Sequence, residues 1–99
     1  MLRDLAYLIK ATSGITRKEL EKNEMMMDSI MFRFIQISEN LKRISDDIKE
    51  ASPHIPWSLV AGLGNKIVHE YGRIDLTIIY DVLKNDLEKL YSDINKLIS

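Results

Sequence analysis

Three side chains capable of chemistry lie close together in Gly64-Asn65-Lys66-Ile67-Val68-His69-Glu70-Tyr71. If the stretch is helical, Asn65 and His69, four residues apart, project from one face. Histidine is the side chain best suited to exchange protons near neutral pH, and so to act as general acid or base. A neighbouring amide can orient an imidazole ring or hold a phosphate oxygen. Tyr71 adds a phenol two residues further on. By residue type alone, an isolated histidine on an amphipathic helix is more often structural than catalytic, and Glu70 reads as a solvated residue. Tyr71 on the same grounds reads as a packed ring with its hydroxyl exposed.

Two glycines lie in the same stretch. Each costs about 1 kcal/mol relative to alanine inside a helix. Gly62 reads as a point of close helix–helix packing. Gly64 shows no comparable structural need, so a lost side chain explains it equally well.

Other chemistries find little support. His54 and His69 are the only histidines, and neither belongs to a Glu-x-x-His or His-x-x-x-His pair, so no metal site is expected. Gly62-x-Gly64 follows a helix and lacks a third glycine, which excludes a dinucleotide-type phosphate loop. Asp46-Asp47 and Glu19, Glu21 and Glu24 read as solvated faces. No serine sits in a nucleophile motif. No cofactor is expected.

The whole chain bounds these choices. Its 99 residues make one small domain, 1–99, with a thin core that dimerisation would enlarge. A net charge of −1 argues against a broad nonspecific nucleic-acid surface but leaves room for a local phosphate site. The absence of cysteine suits a reducing cytoplasm, where the protein is expected. No apolar run is long enough to span a membrane, and the charged start Met1-Leu2-Arg3-Asp4 lacks a signal-peptide core.

The elements that must hold the site read as helices. Leu2, Leu5, Leu8, Ile9 and Thr12 predict a short helix over 2–12, closed by Gly14. Thr16 with Glu19 fits a capping box and a new helical start. Met27, Ile30, Phe34, Ile37, Leu41, Ile44, Ile48 and Ala51 predict one long helix from about 24 to 51. Met25, Met26, Met31, Phe32 and Ile35 widen its apolar stripe. Such a helix suits the centre of a bundle, and the same face suits a dimer contact. Pro53 and Pro56 break it, and Pro56 opens a third helix from Trp57 to about Tyr71. Its inner face is Leu59, Val60, Leu63, Ile67 and Val68. Asp75 caps a fourth, with Leu76, Ile79, Leu83, Leu87, Leu90, Ile94 and Leu97 as its stripe. No segment alternates with period two, so the fold expected is an all-α antiparallel helical bundle.

The order of these residues resembles HEPN-domain proteins of the HepT type over most of the chain. Members of that family show Arg-Asn-x-x-Val-His-x-Tyr where this chain has Gly64-Asn65-Lys66-Ile67-Val68-His69-Glu70-Tyr71. A downstream Asp matches Asp75, and Asn-Asp-Leu matches Asn85-Asp86-Leu87. Pro53-His54-Ile55-Pro56-Trp57 matches the segment leading into the motif helix. Ile37-Ser38-Glu39-Asn40 lies where the family carries a glutamate-containing run.

The resemblance implies a homodimeric, metal-independent endoribonuclease. It implies a toxin acting on RNA and neutralised by a minimal nucleotidyltransferase antitoxin. His69 then corresponds to the catalytic histidine, Asn65 to the motif asparagine and Tyr71 to a tyrosine that the antitoxin modifies with AMP. Gly64 occupies the position of the arginine, which in the family completes a composite site across the dimer. Lys66 and Arg73 lie near it at the wrong offsets, and lysine lacks the planar guanidinium fork. The implied chain is impaired or inactive. The alternative is a non-catalytic helical partner or nucleotide-binding module of such a nucleotidyltransferase, presenting Tyr71.

Overall fold

The computed structural model describes residues 1–70 and 72–98, with the backbone alone at Ile98. All regular structure among them is helical, so the all-α expectation holds. In chain order the helices are α1 (Leu2–Ala11), α2 (Arg17–Lys22), α3 (Glu24–Lys42), α4 (Asp46–Ala51), α5 (Trp57–Glu70), α6 (Leu76–Asn85) and α7 (Leu87–Ile98).

The short elements start where the sequence says they should. The Glu19 N–H donates to Thr16 Oγ1 at 3.1 Å, and the Thr16 N–H donates to Glu19 Oε1 at 3.2 Å, completing the capping box of α2. Gly14, after α1, takes a left-handed φ of +74°.

Two expected helices are each divided. The stripe drawn from 24 to 51 stops at Lys42 and resumes at Asp46. Ser45 is extended and caps α4, accepting from the Ile48 N–H, while Asp46 and Asp47 complement the dipole of its first turn. The acidic pair therefore marks a helix start. The stripe after Asp75 is divided at Asp86, between α6 and α7. Asn85 and Asp86 are weak helix formers whose side chains compete for backbone partners.

The core joins Ile30, Phe34, Ile37 and Leu41 of α3 to Val60, Leu63 and Ile67 of α5. Leu5 and Leu8 of α1, Ile79 and Leu83 of α6, and Leu87, Leu90 and Ile94 of α7 close around them. The α3–α5 contact is the most extensive between helices. Arg33 further ties α3 to α1, donating to Asp4 Oδ1 at 2.8 Å and lying 4.0 Å from the centre of the Tyr7 ring.

Several residues expected inside are outside. Met25 and Phe32 on α3, Ile48 on α4, and Leu59 and Val68 on α5 are exposed. The wide stripe of α3 thus exceeds what its neighbours cover. No helix among the described residues is long and apolar enough to cross a membrane.

Candidate functional site

α5 carries the candidate site, and its start is firmly held. Ile55 and Trp57 are buried, and the Trp57 indole N–H donates to the Ser52 carbonyl at 3.0 Å. Pro56 precedes the first residue of α5, where its missing N–H costs nothing. At the other end the Arg73 N–H donates to the Glu70 carbonyl at 2.8 Å, and Gly72 adopts a φ of +89°. Tyr71 lies outside the described residues.

Burial along α5 divides the motif. Val60, Leu63, Gly64 and Ile67 face inward, whereas Asn65, Lys66, His69 and Glu70 face solvent. Asn65 and His69 thus share an exposed edge, one helical turn apart. Among the described residues no side-chain hydrogen bond holds the His69 imidazole.

The structure adds two α3 residues to that edge. Lys42 Nζ donates to Asn65 Oδ1 at 2.6 Å and lies 3.3 Å from Glu39 Oε1. Sequence reasoning singled out the run containing Glu39 but passed over Lys42. Its one signal was a position three residues after Glu39 in the last turn of the helix, where a basic side chain is favoured.

Both readings of the glycines require correction. A Cβ added at Gly62 would meet open space, so this residue is not a packing point. Gly64 is the packing point. A Cβ there would overlap Ser38 Cβ and Oγ on α3. Ser38 is itself buried and donates from its hydroxyl to the Ala61 carbonyl of α5 at 3.1 Å. Gly64 is therefore required by the approach of α3 to α5, and a larger residue there must displace Ser38.

The downstream motif residues sit at helix boundaries. Asp75 caps α6, accepting from the Thr77 N–H at 2.8 Å. That bond, with lesser help from the Thr77 side chain and the charges of Arg17 and Lys66, holds its carboxyl below the usual range. Asp86 occupies the break between α6 and α7, and Leu87 is buried.

A cleft of about 500 Å³ lies between α2, α3 and the Gly72–Ile74 turn. Glu21, Glu24 and Asp28 line it, so it would oppose a phosphate chain; Asn65, His69 and Lys42 are not among its lining residues. Lys42, Asn65 and His69 lie instead on exposed surface. Among the described residues no cluster of three or more His, Cys, Asp or Glu could hold a metal ion.

Comparison with known proteins places the chain in a family. A family model described as "Ribonuclease HepT-like" matches residues 1–97. The chain belongs to the HepT-like ribonuclease family. It is 28% identical over 100 residues to "Probable ribonuclease HepT" of Thermococcus cleftensis, covering 97% of this chain and 91% of that one. It is also 28% identical over 87 residues to "Putative RNase MJ1380" of Methanocaldococcus jannaschii, covering 88% of this chain and 80% of that one. No solved structure matches the chain. The expectation drawn from the HepT-type motif is thus correct at the level of family, and the HepT-like domain occupies almost all of the chain.

Proposed function

We propose that this chain is the ribonuclease toxin of a toxin–antitoxin pair, working through the exposed edge of α5 and weakened by glycine at position 64. The observation that carries the reading is the shared edge itself: solvent-facing His69 and Asn65, with the Lys42 ammonium hydrogen-bonded to that amide. His69 removes the proton of a ribose 2′-hydroxyl, and the 2′-oxygen attacks the adjacent phosphorus. The P–O5′ bond breaks, the departing 5′-oxygen takes a proton from water, and the His69 imidazolium returns its own proton to solvent. Asn65 offers its amide N–H groups to a phosphate oxygen. No step requires a metal ion.

The arginine that would stabilise charge on the phosphorane is absent, so the slow step keeps much of its barrier. A missing donor of this kind costs about 10²–10³ in rate. Exposed apolar side chains such as Leu59, Val68 and Phe32 support a homodimer, which would bring two such edges into one assembly. A cytoplasmic nucleotidyltransferase antitoxin is the proposed partner, with Tyr71 as the site of AMP attachment.

Restoring the arginine tests this reading, provided the space is also restored. Arginine at 64 alone would collide with Ser38, so the useful variant is Ser38→Gly/Gly64→Arg. With single-stranded RNA as substrate, it should cut about 100-fold faster than the wild-type chain. Equal rates from two folded proteins would refute the claim that Gly64 weakens the site.

A further inference from the structure

We infer that Lys42, held at the motif edge by Asn65, is the cation that grips the RNA phosphate in this chain. The inference rests on the ribonuclease reading above and adds to it a residue from a different helix.

Three observations carry it. Gly64 is packed against Ser38 and offers no side chain, so it supplies no positive charge to this edge. Among the described residues Lys42 reaches this edge from α3 and is hydrogen-bonded to a motif side chain, through its 2.6 Å bond to Asn65 Oδ1. An ammonium has three N–H donors. One points to Asn65 and a second to Glu39, leaving the third available to a ligand on the same edge.

The charge is also accessible. The Lys42 and Glu39 side chains are 39% and 55% exposed, and an exposed pair of this kind is weakly held and screened by salt. A phosphate can displace the Glu39 carboxylate while the neutral Asn65 oxygen keeps the ammonium aimed. Asn65 then positions Lys42 through Oδ1 while its amide N–H groups stay turned to the phosphate, and the Lys42 ammonium touches substrate beside them. As a point charge without a planar fork, lysine holds one phosphate oxygen at a time. The site therefore binds RNA better than it stabilises the transition state, in keeping with a weakened enzyme.

The test is binding of a fluorescein-labelled 12-nucleotide RNA with 2′-O-methyl riboses, which cannot be cut through the 2′-oxygen. Fluorescence anisotropy is read across a salt series for the wild-type chain, Lys42→Gln, Lys42→Arg and Lys18→Gln. Lys18 lies on α2, which precedes α3, while Lys42 lies at the far end of α3, a helix about 28 Å long. It serves as a matched loss of one exposed charge. Lys42→Gln should bind about tenfold more weakly, and its log–log salt slope should fall by about 0.7. Lys42→Arg should keep both affinity and slope, which a merely structural lysine–asparagine lock would not require. Equal small effects from Lys42→Gln and Lys18→Gln, with RNA still bound by the wild-type chain, would overturn the assignment of Lys42 alone. Failure of the wild-type chain to bind RNA would overturn the ribonuclease reading and this inference with it.

Discussion

Gly62 and Gly64 lie two residues apart on α5, and alanine at each should move stability in opposite directions. At Gly62 an added methyl meets nothing within 4 Å. Gly62→Ala therefore gains helix propensity without a clash, worth about 1 kcal/mol. For a domain of this size that raises Tm by roughly 4–8 °C. At Gly64 the same gain is opposed by overlap with Ser38 Cβ, an atom fixed to the α3 backbone that no rotamer change can move. Overpacking costs about 1–3 kcal/mol, and a clash with a backbone-anchored atom belongs at the upper end. After the propensity gain, Gly64→Ala should be destabilised by about 2 kcal/mol, lowering Tm by roughly 8–16 °C. Circular-dichroism melts and urea titrations of both variants read this directly. Ser38→Gly alone should cost about 1–1.5 kcal/mol through lost propensity and the lost bond to the Ala61 carbonyl. Combined with Gly64→Ala it removes the overlap, so the double variant should exceed the sum of the singles in stability by about 0.5–3 kcal/mol. Stabilisation by both alanines, or strict additivity of Ser38→Gly and Gly64→Ala, would refute the packing role of Gly64.

Two further outcomes follow from the structure and the proposed partnership. The Asp75 carboxyl is held below its ordinary value near 3.8 in the folded chain, chiefly by the Thr77 N–H, so its stabilisation is complete above that value and is lost as pH falls through the folded one. Asp75→Asn, which keeps a capping side chain, should therefore be less stable than the wild-type chain at pH 7 and lose less on acidification below about pH 4; denaturant midpoints across pH would show it, and parallel pH profiles would contradict it. Incubation with the cognate nucleotidyltransferase and ATP should add AMP mass to the wild-type chain but not to Tyr71→Phe, and equal addition to both would place the modification elsewhere.

The helical class was readable because Ile30, Phe34, Ile37 and Leu41 recur at helical spacing, and the capping box at Thr16 announced α2 directly. The breaks were harder to see. The apolar stripe runs on through Ile44 and Ile48, masking the helix start that Ser45, Asp46 and Asp47 encode. In the same way Leu83, Leu87 and Leu90 carry a continuous pattern past Asp86. Asn65 and His69 were placed on one edge by a spacing internal to α5, so that relation was legible. The contacts of Gly64 with Ser38 and of Asn65 with Lys42 join different helices, and no periodicity within one helix reveals what stands opposite it. That is why Gly64 read as a vacancy and Lys42 was passed over.

The central claim is that His69 performs proton transfer in RNA cleavage on the exposed edge of α5. The most direct measurement is the single-turnover cleavage rate of a labelled single-stranded RNA by Ser38→Gly/Gly64→Arg, with and without His69→Ala. Loss of the imidazole should lower the rate by about 10²–10⁴ while leaving RNA affinity largely intact. Cleavage that continues at the same rate without His69 would contradict the account.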